Sequence, residues 1–199
     1  MAVDHLSLCT TPIALLNGDK AVSQGTGFYY SAEYGDTLVV FLVTNYHVLT
    51  GHAPIEAKAP IGDNIVFQVH KCPENPADLY HVRFPLFTKQ GNPTWIQSSS
   101  VPEADLSVIP IPITVFEHCK LCCISSKWMT EPKIKLRPTS AVTLIGYPYG
   151  CSDRVNALPI WKTGSVASEP HSDFDGKPLL IIDISAFPGM SGSPAFAIS

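Results

Sequence analysis

The stretch Pro188-Gly189-Met190-Ser191-Gly192-Ser193-Pro194 carries the strongest structural signal in this chain of 199 residues. It places Ser191 two residues after one glycine and directly before another, between two apolar runs. Glycine adopts backbone conformations that are closed to other residues, so we expect a tight turn that displays the hydroxyl of Ser191. Successive amides of such a turn can converge on one point, and we expect the N–H groups of Gly189 and Ser191 to form an oxyanion hole.

A serine hydroxyl is a weak nucleophile unless a base takes its proton, and that base is usually oriented by a third group. The chain offers a candidate for each role: His47 follows the apolar run 41–44, and Asp105 precedes the run 106–111. Taken singly, Ser191 could belong to a surface hairpin, His47 could be a packing residue and Asp105 could be a turn or cap residue. Their joint presence in the order His, Asp, Ser favours a catalytic triad.

Short apolar and β-branched runs recur along the whole chain, and most are separated by Gly, Pro, Asn or Asp. No window keeps the apolar period of a helix for ten residues, and only 47–51 suggests a helical turn. This rhythm predicts an all-β protein, either a closed barrel or a sandwich. The predicted strands are 13–16, 25–30, 37–44, 64–70, 79–84, 105–111, 141–146, 160–167, 179–184 and 194–198.

Composition argues against two classes of partner. The net charge of -4 provides no basic surface for a phosphate backbone, so we expect no nucleic acid partner. The longest apolar stretch, Leu38–Val43, is far shorter than the ~20 residues that span a bilayer, so we expect no membrane insertion. Because Met1 to His5 lack a cationic flank followed by an apolar run, we expect a cytoplasmic protein whose six cysteines stay reduced.

From about Gly25 to the C-terminus the chain resembles the chymotrypsin-like (trypsin-like) serine peptidases, and among them the bacterial HtrA-type branch. Six segments carry this resemblance. Gly25-Thr26-Gly27-Phe28 is similar to a first-barrel strand, and Thr44-Asn45-Tyr46-His47-Val48 to the catalytic-histidine motif. Asp105-Leu106-Ser107-Val108 is similar to the aspartate motif, and residues 145–150 with 163–168 to the segments before the serine. Residues 183–194 resemble the serine motif itself.

The resemblance implies two six-stranded antiparallel barrels of the chymotrypsin type. Residues 1–115 would form the N-terminal barrel with His47 and Asp105, and residues 116–199 the C-terminal barrel with Ser191. The implied function is a serine endopeptidase that hydrolyses peptide bonds through an acyl-enzyme, without a cofactor. The alternative is a catalytically inactive module of the same fold that binds peptides or regulates a partner.

Departures from the family pattern lie around the serine. Met190 stands where activated peptidases carry an aspartate that pairs with a new N-terminus, so we expect no such activation. The resemblance calls for further strands after the serine, but eight residues follow Ser191. We therefore expect an incomplete second barrel, which either is completed by an additional C-terminal domain or a partner chain or remains open and inactive. We expect the wall of the substrate pocket to be formed by Ile184, Ser185 and Ala186. We expect this pocket to prefer substrates with a small or apolar side chain before the scissile bond.

A competing interpretation concerns His118-Cys119-Lys120-Leu121-Cys122-Cys123. Its C-x-x-C spacing is found in zinc sites, and Cys72, Cys151 or a histidine could complete a tetrahedral set. A single pair without a second clear pair favours ordinary thiols, so no metal is expected.

Overall fold

The computed structural model describes residues 3–56, 58–128 and 134–197. Its first strands are β1 (Thr10–Asn17), β2 (Lys20–Tyr34), β3 (Thr37–Thr44), β4 (Asn64–Cys72), β5 (Asn75–Pro85) and β6 (Ser107–Ile111). The later strands are β7 (Ile124–Ser125), β8 (Ala141–Gly146), β9 (Ile160–Val166), β10 (Ile182–Asp183) and β11 (Ala195–Phe196). Two short helices, α1 (His5–Leu8) and α2 (Tyr46–Thr50), and four 3-10 turns complete the described elements; these turns are Pro54–Glu56, Ile113–Phe116, Ser126–Trp128 and Pro148–Gly150.

The first sheet has the strand order β5-β4-β1-β2-β3-β6, and every pair along this path is antiparallel. Buried and exposed residues alternate along parts of these strands, as expected for a sheet with one face on a core. Burying this apolar face is the main favourable term that holds the sheet together. The core includes Ile13, Leu15, Tyr29, Val40, Leu42, Ile65, Phe67, Val69, Leu86 and Ile109.

The second sheet has the order β10-β9-β8-β11 and is also antiparallel. The chain is therefore mostly β with antiparallel sheets. Within the described ranges this sheet has four strands instead of the six that the resemblance implied, and no ladder joins its edge strands β10 and β11. The predicted strands 179–184 and 194–198 are reduced to two residues each, and residue 198 lies outside the described residues.

The segment between the halves returns to the first sheet. Tyr30 pairs in parallel with Ile124, so β7 adds to β2 although it lies beyond residue 115. The boundary between two barrels at residues 115 and 116 stays a prediction. None of the described helices is long and apolar enough to span a membrane.

Candidate active site

His47 lies in α2, directly after the end of β3. Asn45 has extended backbone angles at the start of this helix, and Gly51 ends it with a left-handed φ of 77°. Val48 and Leu49 are fully buried in the first core, which fixes the helix against the sheet. The His47 side chain stays 40% exposed, so its ring is accessible while its backbone is anchored.

Asp105 contacts His47 through both carboxylate oxygens. Its Oδ2 lies 2.5 Å from His47 Nδ1, and its Oδ1 accepts the main-chain N–H of His47 at 2.9 Å. The side-chain amide of Asn45 donates to the Asp105 carbonyl. These bonds fix the carboxylate of Asp105 relative to the ring of His47, although the two residues are 58 positions apart in the chain.

Electrostatics favour one protonation state of this pair. Partial burial acts to raise the pKa of Asp105, but the hydrogen bonds from the side chain and main chain of His47 outweigh it, so the pKa is lowered. An ionised carboxylate can only accept hydrogen bonds, so the proton of the neutral ring lies on His47 Nδ1. His47 Nε2 is then left as a proton acceptor.

Residues 187–190 form a type II turn directly before the serine. Met190 donates its N–H to the Phe187 carbonyl at 3.0 Å, and Gly189 has the positive φ of 93° that the third position of this turn requires. The Pro188 carbonyl accepts the Tyr149 N–H at 2.6 Å. Because the N–H and C=O of a trans peptide point in opposite directions, the Gly189 N–H faces away from Tyr149.

The amides predicted to form the oxyanion hole are free of protein partners. Within the described part of the chain, the N–H groups of Gly189 and Ser191 donate to no residue, whereas those of Met190 and Ser193 do. This arrangement is compatible with two donors for an oxyanion. Their role in catalysis stays a prediction.

Strand β2 anchors residues 187–192, which we call the serine turn, to the first sheet. The Thr26 N–H donates to the Ser191 carbonyl at 2.8 Å, and the Thr26 hydroxyl donates to the Gly189 carbonyl at 2.8 Å. Gly25 lies between the two halves, because a Cβ there would be 2.6 Å from Val48 Cγ2 and 3.2 Å from the Ser191 carbonyl. The serine turn is thus next to the helix that carries His47.

The structure joins His47 directly to Asp105, and Gly25 lies near both α2 and the carbonyl of Ser191. Among the hydrogen bonds of the described residues, none connects Ser191 Oγ with the His47 ring. Such contacts often shorten only when substrate binds, so this geometry is compatible with catalysis.

The sequence model of one protein family, the trypsin-like peptidase domain, matches residues 25–199 of this chain. The chain belongs to this family. Three solved structures share the fold: a serine endoprotease from Yersinia pestis (15% identity, TM-score 0.52), the thermostable serine protease AL20 from an extremophilic microorganism (12%, 0.52), and the HtrA-type protease AlgW with a decapeptide (16%, 0.53). They align with 96%, 98% and 98% of this chain. A sequence comparison with curated proteins finds no match.

The chain spans 50%, 81% and 55% of the lengths of those three structures. At these identities the likeness establishes the common fold. It does not assign activity to particular residues.

A cavity of about 500 Å³ lies beside the histidine and aspartate of this trypsin-like peptidase. His47, Asp105 and Glu103 contribute from the first half, and Lys177 with Leu179 from the second. Sequence analysis predicted that Leu179 begins a strand at 179–184. It did not predict that Leu179 lines this cavity. Its apolar character was the only local signal. The remaining lining residues are Ala53, Pro54, Ile55, Val101, Ala104 and Pro178.

The predicted substrate pocket lies just before the type II turn. Ile184 packs against Gly164 of β9, because a Cβ on that glycine would lie 2.6 Å from Ile184 Cβ. Ser185 and Ala186 are exposed, and the Ala186 N–H donates to the Ile184 carbonyl at 2.9 Å. Their contact with substrate stays a prediction.

Met190 and the cysteines give two further local results. Met190 is buried, with 4% of its surface exposed. All six cysteines carry free thiols. In the described ranges, no group of three or more His, Cys, Asp or Glu side chains is arranged to hold a metal ion.

Proposed function

We propose that this trypsin-like peptidase domain is a serine endopeptidase, with Ser191 as nucleophile, His47 as general base and Asp105 as the group that orients His47. The observation that carries the proposal is the two-point contact of Asp105 with His47. It leaves Nε2 as acceptor on a helix that packs beside the serine turn. A merely structural histidine does not require this alignment.

The reaction follows from these positions. Ser191 Oγ bonds to the substrate carbonyl carbon while its proton passes to His47 Nε2. The carbonyl oxygen becomes an oxyanion that accepts hydrogen bonds from the Gly189 and Ser191 amides. His47 then gives the proton to the leaving amine as the C–N bond breaks, which leaves an acyl-enzyme. Water cleaves this ester by the same sequence, with His47 taking its proton and returning one to Ser191 Oγ.

A fluorophosphonate probe tests this proposal directly. Ser191 Oγ should attack the phosphorus, fluoride should leave, and one probe should attach per chain. Ser191→Ala should abolish labelling, whereas Ser193→Ala, which removes a neighbouring hydroxyl, should keep it. Absence of labelling in the folded wild-type chain, or labelling of the Ser191→Ala chain, contradicts the proposal.

The second candidate is a peptide-binding module that does not turn over its ligand. The missing hydrogen bond between Ser191 Oγ and the His47 ring favours it. The same probe separates the two, because a binding module should hold peptides but stay unlabelled.

We also propose that a further C-terminal segment or a partner chain packs against the second half. Leu180, Ile181 and Phe187 are exposed apolar residues in this half. Both buried core clusters of the described residues are centred on the first half or on its N-terminal helix. Exposed apolar surface next to short edge strands favours association. Concentration-dependent light scattering should reveal self-association if the partner is a second copy.

A further inference from the structure

One face of the second sheet turns toward the segment that precedes Ser191. In the β8–β9 ladder, Leu144 pairs with Lys162 and Val142 pairs with Gly164. Directly opposite residues of an antiparallel pair share a face, as do residues two apart in one strand. Gly164 faces Ile184. Lys162 is therefore on the face that meets Ile184, a predicted pocket residue.

This face is apolar except for Lys162. Ile182 pairs with Val166 and so shares the face, whereas Asp183 pairs with Ser165 and lies on the opposite one. The carboxylate of the neighbouring strand β10 therefore lies on the face opposite to Lys162. Among the described strand residues of this face, Lys162 is the one charged side chain; the others are Val142, Leu144, Gly146, Ile160, Gly164, Val166, Ile182 and Ala195.

The ammonium of Lys162 is directed toward the serine turn. Its Nζ lies 4.4 Å from the ring centroid of Phe187, the first residue of the type II turn. A ring occupies one side of the ammonium, and the group still has donors for an acceptor. No carboxylate in the described ranges forms an ion pair with Lys162; the other lysine and arginine pairs are those of Lys58, Lys71, Arg83, Lys120 and Lys127.

A lone ammonium beside apolar groups attracts a carboxylate more strongly than it would in water, because the local dielectric constant is lower. The other cation near the site, Lys177, lines the cavity beside His47 together with Glu103, so that cavity already contains a carboxylate. Lys162 has no such counterpart. Its place next to Phe187 and on the face of Ile184 associates the charge with the predicted substrate pocket.

We propose that Lys162 determines specificity, so that this domain prefers substrates with a carboxylate side chain immediately before the scissile bond. This inference rests on the proposed peptidase function. It replaces the sequence-based expectation of a small or apolar side chain. The apolar neighbours of Lys162 contact the methylene groups of a glutamate, and the ammonium contacts its carboxylate.

The test compares peptide nitroanilides that differ only in Glu, Gln, Leu or Lys before the scissile bond. Wild-type chain should cleave the Glu substrate with kcat/KM at least about tenfold above the Gln substrate, since close charge pairs commonly contribute this much. Lys162→Arg should keep the ratio, and Lys162→Met should reduce it to about one. Lys20→Met, a change of an exposed lysine in β2, should behave as wild type. Equal cleavage of Glu and Gln by wild type, or an unchanged ratio in Lys162→Met, overturns the inference.

A binding experiment keeps this question separate from catalysis. In the Ser191→Ala chain, calorimetry with acetylated peptide amides should show tighter binding of a Glu peptide than of its Gln counterpart by about tenfold. Adding Lys162→Met should remove that difference. If the wild-type chain does not react with fluorophosphonate, the proposed function fails while this measurement still decides the role of Lys162. Equal affinities for both peptides overturn it.

Discussion

The hydroxyl of Thr26 donates a 2.8 Å hydrogen bond to the carbonyl of Gly189, a residue 163 positions further along the chain. The same hydroxyl accepts the N–H of Tyr147 at 3.0 Å. Thr26 is fully buried, so these two bonds form where water cannot replace them. One side chain of the first sheet thus fixes two segments of the second half, including the turn that presents Ser191.

Replacing Thr26 with valine should destabilise the protein and disturb the serine turn. The change leaves the Gly189 carbonyl and the Tyr147 N–H buried without a partner, which should lower the free energy of unfolding by about 2 kcal/mol or more. Thr26→Ser keeps the hydroxyl and should cost only about 1 kcal/mol for the lost methyl group. Urea denaturation measures both. Equal stability of the two variants would show that the hydroxyl does not hold the turn.

Asp105→Asn should lower kcat by about 10⁴-fold while the fold is retained, because an amide no longer fixes the Nδ1–H tautomer of His47. Circular dichroism and the rate of a peptide ester substrate measure fold and activity. Asp153→Asn is the matched control, since Asp153 also accepts main-chain N–H groups but lies in an exposed turn. A loss of activity in the control, or full activity in Asp105→Asn, would contradict the assigned role.

The lowered pKa of Asp105 predicts a dependence of stability on pH. A carboxyl group whose pKa is lower in the folded than in the unfolded state stabilises the fold above its ordinary value of 3.8. That contribution is lost as the pH falls through the folded pKa. The difference in unfolding free energy between wild type and Asp105→Asn should therefore shrink as the pH falls through and below 3.8. Denaturant titrations across this range should show it; a difference that grows toward acid pH has the wrong sign.

Gly192→Ala should be strongly destabilising. Gly192 has a φ of 86°, and a Cβ there would overlap the Thr26 carbonyl oxygen and Thr44 Oγ1. We expect a loss of about 3 kcal/mol or more. Gly35→Ala is the control, because Gly35 has a φ of 59° but open space around it, so only backbone strain of about 1 kcal/mol remains. Thermal unfolding of both should separate the two causes, and similar losses would rule out the overlap.

The cysteines should differ in reactivity. Cys151 is exposed, whereas Cys9 is fully buried. Burial, with smaller contributions from Cys122 and Cys123, raises the pKa of Cys9 well above its ordinary value. Burial also raises the pKa of Cys123 to about 12. Since the thiolate is the reactive form, brief alkylation at pH 8 should modify Cys151 first and leave Cys9 and Cys123 unmodified. Mass spectrometry of native and denatured samples measures this; rapid labelling of Cys9 in the native sample would contradict it.

Local sequence patterns located most of the first sheet. The run 37–44 coincides with β3, and the runs at 64–70 and 79–84 lie inside β4 and β5. Alternating apolar residues between turn residues specify a strand without long-range information. The second sheet was harder, because the predicted strand at 179–184 forms a ladder only over Ile182–Asp183, and an apolar run becomes a strand only where a neighbour supplies hydrogen bonds.

The sequence by itself determined the identities and order of His47, Asp105 and Ser191, and the glycines that let the serine turn form. Tertiary structure alone decided that Asp105 meets His47 through two oxygens, that Thr26 holds Gly189, and that Lys162 shares a face with Ile184. The physical reason is that strand register and the packing of one half on the other set these contacts. Both depend on residues far apart in the chain, so no local pattern encodes them.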